Sequence, residues 1–370
     1  MSQAKRHLYV ALRDYENGYT IRKIDVGAFD AGSGLNPDEH PEPLPEPPAF
    51  VVEAEHGQPT LIAALGARIL AMPQRLAAGA GALPGFDAAA AAAPGLVIAP
   101  PPQGSDHRPP ALVAVGGDRV YGLGCSTRAG AGEARHFEVL HAPAPPRRMR
   151  WAWSAVPAPP PFNPLLVTCH AAHPDGRAVF FSAEASGSGS SGGRGGTFSF
   201  DTKRLEWTCH GAWLLPFSVQ AHYDGELDAW VGLCGRHHGD AAGGGGGRVV
   251  SCDVVDPDKR RIPAPEWKLG AQPVLCEDKR RHVGAALVYC GDSRFCLLEC
   301  VEEKNGKKKN AQERRGPPPD QPRRLLHVTA FGLKYGKQGE LTTAMRRQRR
   351  CYALPDGAAN FMGKPIAFWM

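Results

Sequence analysis

Long apolar runs are missing from this 370-residue sequence. No stretch approaches the eighteen or more apolar residues of a membrane-spanning helix, and residues 1–6 lead directly into a strand-like segment rather than the apolar core of a secretory signal. A helical membrane protein is thereby excluded, and a location in the cytosol, the nucleus or both is expected. Helical periodicity is scarce as well. No Gly-x-Ser-x-Gly nucleophile elbow joins a strand to a helix, and the glycines at 243–247 lack the Lys-Ser or Lys-Thr that follows in a phosphate loop. Cysteine occurs ten times, but singly, inside apolar segments such as Val167-Thr168-Cys169 and Tyr289-Cys290. That dispersal predicts buried free thiols rather than a disulfide framework.

Glycine and proline, by contrast, are abundant, at 44 and 35 residues in a chain that is 42% hydrophobic and 22% charged. Their clustering between apolar runs points to short strands joined by many turns around a sizeable core. One unit recurs: an apolar strand, a turn containing Gly, and a second apolar strand. It occurs as Leu8–Leu12 with Tyr19–Val26, Leu61–Gly66 with Arg68–Met72, and Leu112–Asp118 with Arg119–Leu123. It returns around His173-Pro174-Asp175-Gly176, around Tyr223-Asp224-Gly225, and as Ala285–Tyr289 with Arg294–Leu298. The turn glycines fall at 18, 66, 117, 176, 225 and 291, so successive gaps are 48, 51, 59, 49 and 66 residues. Kelch repeats have a period of roughly 50 residues.

Material for two further strands follows these hairpins, as a four-stranded blade requires. Gly196–Asp201 precedes Leu205–Thr208, Val249–Val254 precedes Glu266–Leu269, and Phe137–Leu140 precedes Trp151–Pro157. The late tryptophans of these units, including Trp153, Trp207 and Trp267, are expected to wedge between neighbouring sheets. The first hairpin lacks an innermost strand, and Pro365–Met370 are suited to supply it, which removes unpaired sheet edges. The expected fold is therefore all-β: a single kelch-like β-propeller over residues 7–370. It would have about six four-stranded blades, closed by pairing of the N- and C-terminal segments. Polar, low-complexity insertions at 31–48, 75–94, 185–196, 239–247 and 302–324 are read as flexible loops.

The run Gly196–Thr202, with Leu205–Thr208 and Gly211–Phe217, resembles a plant family abundant in grasses. So do Glu226–Leu233, Tyr289–Cys296 and the ending Ala367–Met370. The resemblance covers residues 7–370 and weakens around 75–105. That family carries a domain of unknown function related to kelch and galactose-oxidase-type propellers. The resemblance implies a propeller fold and supplies no catalytic or binding residues.

The His and Cys pairs do not build a metal centre. Cys169 and His170, like Cys209 and His210, are adjacent and point to opposite faces of a strand, while Cys296 and Cys300 share a face about 13 Å apart. Tyr289-Cys290 with scattered histidines does not make a copper site, so neither metal nor cofactor is expected, and no catalytic residue is identified. Basic side chains crowd at 304–324 and again at Arg346, Arg347, Arg349 and Arg350, in a chain of net charge +6. The first run reads as a solvated loop that holds a candidate nuclear-import signal, Lys307, Lys308, Lys309, Arg314 and Arg315. No aromatic residues interleave it, so nucleic-acid binding is not expected.

The functional expectation is a non-catalytic protein-binding scaffold or adaptor, with its partner on a loop face positioned by rigid sheets. With the first strand expected near His7, neither an F-box nor a BTB domain is expected before it, and a ubiquitin-ligase role would need a separate adaptor. The alternative is an enzyme acting on a small molecule or sugar in the propeller channel, where titratable groups of shifted pKa would gather.

Overall fold

The computed structural model describes residues 6–14, 18–29, 40–52, 60–73, 85–87, 97–98, 111–128, 132–141, 150–185, 194–235, 247–303, 323–344, 348–355 and 364–370. Apart from two short 3-10 turns, the described elements are β-strands. They form two compact units, one of Met1–Gly57 with Gly270–Met370 and the other of Gln58–Leu269. Among the described residues no helix is long and apolar enough to cross a membrane.

In the first unit, Leu8–Asp14 pairs antiparallel with Gly18–Ile24. Leu8, Val10, Leu12 and Ile24 are buried in the core with Leu298, Leu326 and Val328. The C-terminal strand Ile366–Trp369 lies on the other side of Leu8–Asp14, with Leu8 opposite Trp369 and Ala11 opposite Ile366. The two terminal segments therefore pair. A second sheet runs from His282–Gly291 through Arg294–Glu302 and Arg324–Tyr335 to Gln348–Ala353, and ends on the two-residue strand Glu42–Pro43. That strand corrects the reading of 31–48 as loop throughout. The buried Leu44 beside it packs with Tyr352 and Leu354 and anchors the segment to the core.

The second unit holds three sheets. Thr60–Leu65, Arg68–Pro73 and Gly85–Asp87 form the first, so the insertion read at 75–94 also contributes a strand. The next has the order Val97–Ile98, Arg150–Ala155, Gly132–His141, Arg119–Arg128, Ala111–Val115. The largest has the order Glu206–Gly211, Gly196–Asp201, Ala178–Ala183, Val167–Ala172, Phe217–Asp224, Ala229–Cys234 and Arg248–Asp253, followed by the strand that starts at Trp267. All six expected hairpins are therefore present across the two units.

In the second unit the opening strands of four successive hairpins, Thr60–Leu65, Ala111–Val115, Val167–Ala172 and Phe217–Asp224, are consecutive neighbours. Their turns gather at one end. A Cβ on Gly66 would lie 3.6 Å from the Gly117 carbonyl oxygen, and one on Gly116 would lie 3.7 Å from that of Gly176. Gly66, Gly116, Gly117 and Gly176 all have positive φ, which glycine adopts without steric cost. Phe137, Phe162, Phe181 and Phe200 pack between the sheets against Trp207. Trp153 packs on Ala63, Leu65 and Leu70 of the three-stranded sheet. Trp267 departs from the expected wedge, since its ring is 40% exposed.

Candidate functional site

Aspartates set the turns at one end of the largest sheet. Asp175 Oδ1 accepts the Arg177 N–H at 2.7 Å, and Asp201 Oδ1 accepts those of Lys203 and Arg204 at 2.8 and 2.9 Å. Asp224 Oδ1 accepts the Glu226 and Leu227 N–H groups at 2.9 and 3.1 Å, and Asp256 Oδ1 that of Asp258 at 3.0 Å. A short carboxylate that folds back onto the N–H two residues ahead closes a turn without help from the ladder. Because Val167–Ala172 runs parallel to Phe217–Asp224 and each following strand reverses, all four turns project from the same end.

These turns are tied to one another laterally. Arg177 Nη2 donates to Asp258 Oδ2 at 2.9 Å, Arg204 Nη1 donates to Asp258 Oδ1 at 3.1 Å, and Arg177 Nε lies 3.3 Å from Asp201 Oδ2. The segment carrying Asp258 is fixed by both polar groups of Ile262. Its N–H donates to the His210 carbonyl and its carbonyl accepts Trp213 Nε1–H, each at 2.9 Å. The hydrogen bond from Arg177, reinforced by Arg204, holds the Asp258 carboxyl below its ordinary range. Burial alone would raise Asp175, but the Arg177 N–H and His173, whose Nδ1 lies 2.9 Å away, outweigh it and lower that carboxyl too.

An apolar residue stands among these charges. Leu205 has φ +57 and a side chain 40% exposed, a left-handed backbone that costs a branched residue roughly 1 kcal/mol. Lys203, Arg260 and Arg261 are exposed, as are Glu206, Asp256 and Asp258 of the same two segments. The Asp258 contacts with Arg177 and Arg204 bring the 202–205 turn and the 256–261 segment side by side. The result is a surface of mixed charge, with the exposed Glu206, Asp256 and Asp258 among the cations, on which Leu205 faces outward.

Two other polar sites occur, one in each unit. On the opening strands of the largest sheet, Val219 takes φ +71 where the register shifts between Phe217 and Ala221. Close by in the paired strand, His170 is buried, and desolvation, with His222 adding to it, pulls its imidazole down to about 4. In the first unit the buried Glu299 accepts the Cys276 N–H at 3.0 Å, and its Oε1 lies 2.8 Å from His282 Nδ1. Neither pairing was visible in the sequence, because the partners lie on different strands.

The candidate nuclear-import residues Lys307, Lys308, Lys309, Arg314 and Arg315 lie outside the described residues. In the second basic run, Arg349 contacts the His327 ring. Arg350 donates to Glu42 Oε2 at 3.0 Å and to the Ala28 carbonyl at 2.8 Å, with its guanidinium 5.1 Å over the Phe29 ring. Arg350 thus ties this part of the run to the first unit, while Arg349 is exposed. All ten cysteines are free, with Cys125, Cys169, Cys252, Cys296, Cys300 and Cys351 buried and Cys209 exposed. No group of three or more His, Cys, Asp or Glu placed to hold a metal ion occurs among the described residues.

A family described as a protein of unknown function (DUF1668) matches residues 5–352. Among solved structures, the chain is similar to the periplasmic gluconolactonase of Pseudomonas aeruginosa at 11% identity, with 95% of this chain and 100% of that chain covered and a TM-score of 0.40. It is also similar to the β-propeller domain of the trilobed protease of Pyrococcus furiosus, described as having an open velcro topology. There the identity is 8%, the coverage 66% of this chain and 69% of that one, and the TM-score 0.25. No curated protein matches the chain.

Proposed function

Starting from a chain that belongs to the DUF1668 family, we propose a non-catalytic protein-binding module built on a kelch-like propeller of about six blades. Support for the propeller comes from within each unit. In one, four hairpin-opening strands follow one another as neighbours with their turn glycines converging. In the other, the two chain termini share a sheet. The binding face is the tight-turn end around Leu205, and its partner is a protein segment that carries acidic side chains beside an apolar one. The observation that carries this reading is the outward Leu205, held on a left-handed backbone beside Lys203 and Arg204, where the Arg204–Asp258 pair brings up the segment bearing Arg260 and Arg261. Arginine is enriched at interface hot spots, and an apolar centre with a charged rim is the usual anatomy of such a patch.

The test is affinity purification with quantitative mass spectrometry from the native tissue, comparing the wild type with Leu205→Ser and with Arg260→Glu/Arg261→Glu. Proteins recovered by the wild type and lost from both variants support the face. Equal recovery by all three removes it. The run from Lys307 to Arg315 is kept as a nuclear-import signal. A tagged chain with Lys307, Lys308 and Lys309 changed to Ala that distributes like the wild type removes that part.

A second reading, an enzyme acting on a small molecule, is favoured by the His282–Glu299 pair. A buried carboxylate that orients one imidazole nitrogen leaves the other to act as a base. Any turnover that survives Glu299→Gln unchanged would count against it.

A further inference from the structure

Cys290 and Cys296, which look isolated in the sequence, meet across the hairpin that joins His282–Gly291 to Arg294–Glu302. Their sulfurs lie 3.3 Å apart. The strand register explains the encounter. Val288 is opposite Cys296, and Cys290 lies two residues further along the same face. A register shift between Tyr289 and Gly291 then brings Cys290 toward its diagonal neighbour. The turn beyond them is tightly wound, with φ +89, +50 and +51 at Gly291, Asp292 and Ser293, and the Asp292–Arg294 ion pair spans it at 2.9 Å.

The two thiols are not equivalent. Cys290 is half-buried and reachable from solvent, whereas Cys296 is 1% exposed in the core beside Val288, Leu298 and Cys300. The adjacent Cys290, together with burial, raises the Cys296 thiol and keeps its proton in place. One accessible and one sheltered thiol in contact form the arrangement of an attacking and a resolving sulfur.

We propose that Cys290 and Cys296 form a thiol–disulfide exchange site that reacts with a low-molecular-weight disulfide of the glutathione type. Cys290, as thiolate, attacks one sulfur of oxidised glutathione; a mixed disulfide forms and one glutathione thiolate leaves and takes up a proton. Cys296 then gives up its proton and attacks the Cys290 sulfur, which expels the second glutathione and forms the Cys290–Cys296 bond. Two electrons pass from the dithiol to the reagent, and two reduced glutathiones are released. A disulfide needs its sulfurs about 2.0 Å apart, so the two sulfurs have to close on one another from 3.3 Å.

The folded full-length chain, fully reduced, is incubated with oxidised glutathione, alkylated and digested with trypsin. Cleavage after Arg281, Arg294 and Lys304 places Cys290 in the 282–294 peptide and Cys296 with Cys300 in the 295–304 peptide. The expected result is that wild type yields these two peptides joined through Cys290 and Cys296, with the site assigned by fragmentation and the link retained in Cys300→Ser. Cys296→Ser is expected to stop at one glutathione on Cys290. Wild type that accumulates the mixed disulfide as fully as Cys296→Ser overturns the proposal, and so does a Cys290 that reacts only after denaturation. The wild-type digest decides the matter even if a serine variant fails to fold.

Discussion

Removing the indole of Trp207 tests how the sheets of the second unit are held to one another. The ring lies 5.0 and 5.7 Å from Phe200 and Phe181 on the largest sheet and 5.1 Å from Phe137 on the neighbouring five-stranded sheet. Its Nε1–H donates to the Ala158 carbonyl at 3.0 Å. Trp-to-Ala changes in cores cost about 3–5 kcal/mol, and because Trp207 is only partly buried the lower end applies, about 3 kcal/mol. Roughly 1 kcal/mol of that belongs to the indole hydrogen bond. Trp207→Phe keeps an aromatic wedge and loses the donor, so it should cost about 1 kcal/mol. Urea denaturation followed by far-ultraviolet circular dichroism measures both, since indole fluorescence changes with the substitution itself. An Ala variant within about 0.5 kcal/mol of wild type would refute the wedge, and a Phe variant as costly as Ala would refute the weight given to ring packing.

Deleting Pro365–Met370 strips the partner strand from Leu8–Ala11 and uncovers a core edge, so the melting temperature should fall clearly, although chain termini are usually dispensable; an unchanged melting curve contradicts the terminal pairing. Burial holds His170 near about 4 in the folded chain against about 6.5 unfolded. The unfolded state therefore takes up the proton first. Its stabilising contribution is complete above about pH 6.5 and is lost as pH falls toward 4, about 3 kcal/mol in all. His170→Gln should flatten stability over that window, and an identical acid limb in wild type and variant would count against it. Partner binding at the Leu205 face should weaken as salt rises, because its exposed Arg and Lys charges are screened over about 10 Å at 0.1 M ionic strength.

The hairpins were legible because a turn glycine between two apolar strands is a local signal. Gly66, Gly117 and Gly176 mark turns that the structure reproduces with positive φ. The terminal strand was legible for a different reason: the first hairpin lacked an innermost strand, which left one position for Pro365–Met370 to fill. The surface around Leu205 was not legible, since Asp258 joins Arg177 and Arg204 across 81 and 54 residues of chain, and only folding brings those turns together. Local signals also misled. Glu42–Pro43 sits in an acidic, Pro-rich run that looks like loop, and it is ordered by a leucine two residues from the strand start. Trp267 follows the pattern of Trp207, and both lie on edge strands of the largest sheet, yet Trp207 packs against a phenylalanine cluster while Trp267 is 40% exposed. The Cys290–Cys296 contact arises from a register shift that no spacing rule shows.

The claim that the tight-turn end receives a protein partner is tested most directly by placing a photoreactive amino acid at Leu205 and, as a control, at Val51, which is 46% exposed in the other unit. After irradiation in native extract, the Leu205 position is predicted to give a discrete cross-linked species that Arg260→Glu/Arg261→Glu abolishes and that Val51 does not give. Identical cross-linking from both positions, or none from Leu205, would contradict it.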